Sequence, residues 1–357
     1  MNARIDSFLQ LAIEQGGSDL HLVSGQAPRV RIHGQLQEVR FRPLAAEDVE
    51  SMLMEVLDDH QVSELQTENA VDFAYLAPGL GRFRCNFSRH ARGCVVVLRA
   101  IPSLVPTIDS LQLPSSLKLA VSQPKGMILV TGPTGSGKST TLAALVDHIN
   151  ESRKGHIITL EDPIEFVHDY KQCVVTQREI GSHVQSFADG VRSALREDPD
   201  VILVGEMRDP ETIGLAVTAA ETGIQVLGTL HTSGAARTIS RILNVFAPGR
   251  REQVRAMLAD SLRMVVSQIL LRTPDRQGRV AATEVLMNTH AVASMIRTGN
   301  SHKLESVLQT GAAAGMQSMD SCLRRLVDEG WIDGEEAYYH ATDKSLFSRF
   351  VARQNVA

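Results

Sequence analysis

Apolar residues change their spacing several times along this chain, and each change predicts a different element. Ile5, Phe8, Leu9 and Ala12 recur at helical intervals until Gly16-Gly17 interrupts them. Ser18-Asp19-Leu20-His21-Leu22-Val23 then alternates as a half-buried strand does, and Arg29-Val30-Arg31-Ile32 repeats the pattern before a turn at Gly34. A helix is expected from Ala46 to Leu57, with Glu47 and Asp48 in its first turn. Phe73 to Tyr75, Arg82 to Phe87 and Val95 to Arg99 read as further strands. The first hundred residues therefore predict a small α+β domain.

Ile101-Pro102-Ser103-Leu104-Val105-Pro106-Thr107 disfavours both helix and central strand and reads as a linker. From about Leu111 the pattern becomes strands alternating with helices, which predicts a parallel sheet covered on both faces. Strands are expected near Met127–Thr131, Ile157–Leu160, Val201–Val204 and Val226–Leu230. Beyond about His290 the apolar positions Ile296, Leu304, Val307, Leu308, Met319, Leu323 and Leu326 predict a helical tail. The expected division is 1–100, a linker over 101–112, an α/β core over 113–289 and a helical region over 290–357.

Composition narrows the function. At 357 residues, two or three cores are expected. Lys+Arg 36 against Asp+Glu 41 gives a net charge of -5, which offers no bulk attraction to nucleic acid or anionic lipid. Met1 to Gln15 lacks a signal-peptide core, and no apolar stretch is long enough to span a bilayer. A cytoplasmic protein that reaches any membrane through a partner is expected. Cys85, Cys94, Cys173 and Cys322 are scattered without a C-x-x-C pair, so ordinary thiols are expected rather than a structural zinc site.

Gly132-Pro133-Thr134-Gly135-Ser136-Gly137-Lys138-Ser139-Thr140 carries the strongest chemistry. It fits the Gly-x-x-x-x-Gly-Lys-[Ser/Thr] pattern, follows the apolar run Met127-Ile128-Leu129-Val130, and precedes Leu142, Leu145, Val146 and Ile149 at helical spacing. Polyphosphate needs several backbone N–H donors converging on it, which glycines permit, and the following helix N-terminus adds positive potential. Lys138 can then reach the β- and γ-phosphates and Ser139 can ligate Mg²⁺. ATP or GTP with Mg²⁺ is the expected ligand.

Three further strand ends carry polar residues, and ligands of open α/β sheets lie at such ends. The run Thr159-Leu160-Glu161-Asp162-Pro163-Ile164-Glu165 crowds carboxylates that could align a water or metal, or cap a turn. Asp200-Val201-Ile202-Leu203-Val204-Gly205-Glu206 is an apolar strand ending in an acid, the Walker B arrangement, with Gly205 where an acid is usual. Met207-Arg208-Asp209-Pro210-Glu211 then opens a helix with Pro210 at its first position. Val226 to Thr232 delivers His231 to the same edge, in reach of a γ-phosphate. Arg82, Arg84, Arg89, Arg92 and Arg99 cluster in the N-terminal region. They read either as a solvated basic face or as guanidinium donors to a transferring phosphoryl group.

Together these motifs resemble the secretion ATPase superfamily, and within it the PilT family of type IV pilus retraction motors, over nearly the whole chain. Gly17-Ser18-Asp19-Leu20-His21 is similar to that family's opening motif, and Gly81-Arg82-Phe83-Arg84-Cys85-Asn86 to its arginine-bearing strand. Glu161 to Glu165 resembles its Asp box, and Leu195 to Asp209 its Walker B region. Ala220-Glu221-Thr222-Gly223 through Thr229-Leu230-His231-Thr232 resembles its His box, and Gly315-Met316-Gln317-Ser318-Met319-Asp320 its retraction-type C-terminal region. An absent acid at Gly205 is a trait of the family.

The resemblance implies a RecA-like ATPase core with a PAS-like N-terminal domain, assembled as a homohexamer. Lys138 and Ser139 are then expected to bind phosphate and Mg²⁺, and Glu206 to hold metal or water. Glu165 is expected to polarise the attacking water, His231 to sense the γ-phosphate, and Arg82, Arg84 and Arg99 to neutralise charge across a domain or subunit boundary. The implied partners are an inner-membrane pilus platform protein and a paralogous pilus ATPase, with no direct nucleic-acid contact. Two departures stand out. Ala293-Ser294-Met295-Ile296-Arg297-Thr298-Gly299 replaces an Ala-Ile-Arg-Asn-Leu run, and Gly223-Ile224-Gln225 replaces a Gly-His-Leu type sequence. An accessory PilU-like retraction paralogue is therefore an alternative, as is an extension or type II secretion ATPase. The short front and missing C-x-x-C disfavour the latter. From other classes, a RecA-like nucleic-acid translocase and a non-hydrolysing nucleotide-gated scaffold remain to be tested.

Overall fold

The computed structural model describes residues 3–32, 34–101, 104–275 and 278–351, arranged as two compact units. The first comprises the chain up to Leu104 together with Pro163–Val167, and the second comprises Val105–Asp162 and the chain from His168 onward. Pro102 and Ser103 of the expected linker, and the last six residues of the expected helical tail, lie outside the described residues.

In the first unit the helical spacing of Ile5, Leu9 and Ala12 buries one stripe of α1 (Arg4–Glu14). There follow β1 (Asp19–Val23), β2 (Arg29–Ile32), β3 (Gln35–Glu38), α2 (Ala46–Met54), α3 (Asp59–Glu68), β4 (Ala70–Ala77), β5 (Gly81–His90) and β6 (Gly93–Ile101). The strands form one antiparallel sheet in the order β3-β2-β1-β6-β5-β4. Its inner face, including Leu20, Leu22, Phe83, Cys85, Phe87, Val96 and Leu98, packs in one core with Ile5, Leu9, Val49 and Leu53. Two elements escape the hydrophobic pattern for a plain reason. Every residue of β3 is exposed, and α3 buries only Leu65, so neither offers a periodic apolar stripe. The α3 helix instead relies on a cap, with Asp58 accepting the Gln61 N–H.

The second unit runs α4 (Ser116–Val121), β7 (Gly126–Thr131), α5 (Lys138–Ser152), β8 (Gly155–Glu161), β9 (Cys173–Glu179), α6 (Phe187–Ala194), β10 (Val201–Val204), α7 (Pro210–Glu221), β11 (Gln225–Leu230), α8 (Ala235–Asn244), α9 (Pro248–Ser261), β12 (Leu262–Arg272) and β13 (Arg279–Met287). The sheet order is β13-β12-β7-β11-β10-β8-β9, parallel except for β13. Apolar clusters cover both faces, which is why β7, β10 and β11 are buried throughout. Strands β9, β12 and β13 carry Thr176, Gln177, Ser267, Gln268, Thr283 and Glu284 among their apolar residues, and this mixture hid them in the sequence.

The tail is helical as expected: α10 (His290–Arg297), α11 (Leu304–Thr310), α12 (Met319–Asp328) and α13 (Gly334–His340), with a last turn at Lys344–Phe350. Cys322, Leu323, Leu326, Ile332 and Phe347 close a separate small core against Leu271, Val280 and Ala282 of the β12–β13 pair. The fold class is thus α/β, a RecA-like P-loop core with a smaller α+β N-terminal unit and a helical C-terminal region.

Candidate nucleotide site

In a parallel sheet all strands end at one edge, and here β7, β8, β10 and β11 deliver their following residues to it. The loop after β7 is Gly132–Gly137, and α5 begins at Lys138. Its backbone is shaped for close approach. Gly132 has φ 146°, and a Cβ there would lie 2.2 Å from the Gln268 carbonyl oxygen, so only glycine fits. Gly137 has φ 85° at the entry to α5. Lys138 Nζ donates to the carbonyls of Gly132 (3.0 Å) and Pro133 (2.9 Å), folding over the loop. Ser139 lies exposed in the first turn of α5, and the Ser136 hydroxyl is buried inside the loop without a hydrogen-bond partner.

At the end of β10, Glu206 is held from two sides. His231 Nε2, just beyond β11, lies 3.0 Å from Glu206 Oε1, and Arg208 forks across both carboxylate oxygens, its Nη2 lying 2.6 Å from Oε2. Burial pushes the Glu206 carboxyl up, but the Arg208 hydrogen bond and the positive charges of Arg208, His231 and Lys138 outweigh it. The net shift is downward. The carboxylate is therefore ionised at neutral pH and within the field of the P-loop lysine. The strand ends are laced together by Thr229, whose hydroxyl donates to the Gly205 carbonyl (2.5 Å) while its own carbonyl accepts the Met207 N–H (3.0 Å). Asp209 then caps α7, accepting the Glu211 and Thr212 N–H groups, with Pro210 at the start of the helix.

At the end of β8, Glu161 turns toward its own sheet, accepting from Thr159 (2.6 Å) and Gln177 (3.0 Å). Glu165 belongs to a different unit from Glu206 and His231. It lies in the Pro163–Val167 segment of the first unit, 3.6 Å from Arg84. Arg84 also pairs with Asp72 at 2.7 Å. Arg99 pairs with the buried Asp19 at 2.7 Å, and Arg31 approaches that carboxylate at 3.8 Å. Cross-strand register sets Arg31, Asp19, Arg99 and Arg84 in one row over β2, β1, β6 and β5, and Arg82 shares that face two residues before Arg84. The cluster is thus a patterned ladder of charge on the face opposite the core. Arg89 stands apart, near Glu50 at 3.4 Å.

Arg208 is the residue that motif reading left out. Its only signal was its place two residues after Glu206. Gln268 gave no signal, because β12 itself was not legible.

The whole arrangement matches known proteins. Residues 1–339 match the family model described as type II/IV secretion system protein. A twitching motility protein of Neisseria gonorrhoeae is 51% identical over 90% of this chain and 86% of its own length. The type IV pilus retraction ATPase PilT of Pseudomonas aeruginosa is 46% identical over 93% of this chain and 96% of its own. The chain belongs to this family, in its PilT branch. Among solved structures, that of the pilus retraction motor PilT with bound ADP superposes with a TM-score of 0.89 at 41% identity, covering 96% of this chain and 98% of that one. The chain is an ATP hydrolase by family, and no helix among its described residues is long and apolar enough to cross a membrane.

Proposed function

We propose that this chain is the motor subunit that hydrolyses ATP to drive type IV pilus retraction, working as a homohexamer against an inner-membrane platform protein. The observation that carries the reading is the meeting of Glu206 and His231 at 3.0 Å at the ends of the paired strands β10 and β11, the latter beside the P-loop strand, within the field of Lys138. It adds to a triphosphate cradle an ionised carboxylate of the kind that holds the metal or the attacking water in such sites. The ADP bound in the PilT structure supports nucleotide binding by this chain.

The P-loop residues fit nucleotide with Mg²⁺. Gly132 lets the loop lie close against β12, where a Cβ would meet the Gln268 carbonyl oxygen, and the Ser136 hydroxyl is buried in the loop without a partner. Mg²⁺ in phosphate sites is held by one or two protein ligands plus phosphate oxygens, which Ser139 and Glu206 can supply. Bound there, the ion neutralises charge on the β- and γ-phosphates. The loop amides and Lys138 orient the phosphates. Glu206 holds the metal or the water, and His231 reports on the γ-phosphate. Arg82, Arg84, Arg99 and Glu165 belong to the other unit and are assigned to charge neutralisation and water polarisation across a domain or subunit boundary. That assignment makes hydrolysis depend on the first unit, as a motor requires.

ATPase rates of the wild type, Lys138→Ala and Glu206→Ala test the enzymatic step: both variants should fall at least about a hundredfold. Equal rates in all three would make the chain a nucleotide-gated scaffold. Gene deletion tests the motor. Cells should keep surface filaments but lose surface motility, with rescue by wild type and not by Glu206→Ala. Bald cells point to an extension motor, and unimpaired motility to an accessory role. Salt-sensitive DNA binding by the purified protein would revive the translocase reading.

A further inference from the structure

We infer that Gln268, a buried residue of β12, is a positioning residue that sets the nucleotide affinity of the P-loop. The inference rests on the nucleotide-binding part of the reading above and is independent of the pilus. Gln268 is 1% exposed and both ends of its side-chain amide are engaged. Its Nε2 donates to the Ser136 carbonyl at 2.5 Å, and its Oε1 accepts from the Thr141 hydroxyl at 2.9 Å. Thr141 is itself buried in the first turn of α5. One side chain therefore bolts the last turn of the phosphate loop to the start of the helix that follows.

The geometry explains why this matters. A trans peptide is planar, with its C=O and N–H pointing in opposite directions. Turning the Ser136 carbonyl back toward Gln268 therefore turns the Gly137 N–H away from β12. In a P-loop such amides carry the phosphate contacts. Gln268 thus fixes, in the nucleotide-free protein, a donor that would otherwise be ordered only on binding, and pre-organisation of this kind is worth affinity. The β12 backbone meets the loop a second time at its first glycine, where Gly132 leaves no room for a Cβ beside the Gln268 carbonyl. The loop is therefore braced at both ends by one residue of the neighbouring strand. The Ser136 carbonyl, which can only accept, sets the amide with its NH₂ end toward the loop, and the Thr141 hydroxyl donates to the amide oxygen on the other side.

The test uses the full-length protein and a fluorescent ADP analogue. Gln268→Leu keeps size and burial while removing both hydrogen bonds, and Thr141→Val removes only the bond that anchors the amide oxygen to α5. Gln268→Leu should weaken ADP binding about tenfold and raise the KM for ATP by a similar factor, with kcat at saturating ATP within about threefold of wild type. The melting temperature without nucleotide should stay near wild type while the increase on adding ADP shrinks. Thr141→Val should show the same pattern at smaller amplitude. A folded Gln268→Leu with wild-type ADP affinity overturns the inference, as does a loss confined to kcat. If Gln268→Leu does not fold, Thr141→Val decides alone, and unchanged affinity there overturns it. A wild type that binds ADP but does not turn over ATP would defeat the proposed function and leave this inference standing.

Discussion

At the scale of single residues, the decisive balance is at Glu206. Burial alone would raise its pKa, yet Arg208, His231 and Lys138 reverse the sign. The sign has a pH consequence. A carboxyl whose folded pKa lies below its unfolded value gains its stabilisation above the ordinary carboxylate range and loses it as pH falls through the lowered value. The acid limb of the ATPase pH profile should therefore fall below the usual glutamate range. Arg208→Ala removes the main opposing hydrogen bond and should move that limb to higher pH; a kcat profile that does not move would show that Glu206 is not the titrating group. Gly205 explains why no acid precedes Glu206. A Cβ there would lie 2.9 Å from the Leu160 carbonyl oxygen and 3.3 Å from the Glu161 Cα, both rigid backbone of the adjoining strand. Gly205→Ala should cost about 1–3 kcal/mol, readable as a lower denaturation midpoint, and aspartate should cost more.

At the scale of elements, the P-loop, the strands β7, β10 and β11 and the helix after the loop were legible because each follows a local rule: a continuous apolar run, a glycine pattern, a helical period. Strands β12 and β13 were not. Their buried polar residues make sense only through partners far along the chain. Ser267 accepts the Gly234 N–H, Glu284 accepts the Ala235 N–H at the start of α8, and Gln317 donates to Thr283. Glu284 illustrates the energetics. Burial raises its pKa more than the Ala235 N–H lowers it, so folding favours the protonated acid and stability declines as pH rises through the raised value. Glu284→Gln keeps an oxygen for the α8 N-terminus and removes the buried charge. Its melting temperature should exceed wild type at pH 8 by more than at pH 5; a gap that does not widen with pH would show that folding does not raise the Glu284 pKa.

At the scale of the whole molecule, two units with separate cores carry different parts of the proposed chemistry. The P-loop, Glu206 and His231 belong to the unit built on the parallel sheet, while the arginine ladder and Glu165 belong to the unit built on the antiparallel one. Separate cores predict unfolding that is not two-state, with a calorimetric enthalpy exceeding the van't Hoff value. ADP binds folded protein in proportion to its affinity, so it should raise the transition of the P-loop unit and leave the other nearly fixed. A single transition moving as a whole would mean that the units melt together.

The sequence by itself determined the nucleotide loop, the order of strands and helices around it, the acid and histidine at the neighbouring strand ends, and the family. Each of these is written in contiguous residues, where spacing alone carries the information. Only the tertiary structure decided that Arg208 clamps Glu206, that the segment holding Glu165 returns to the first unit, and that Gln268 braces the loop from 132 residues away. Such contacts join residues with no local periodicity between them. They are set by which strands become neighbours in the sheet, and the hydrophobic pattern fixes that a strand exists without fixing what lies beside it.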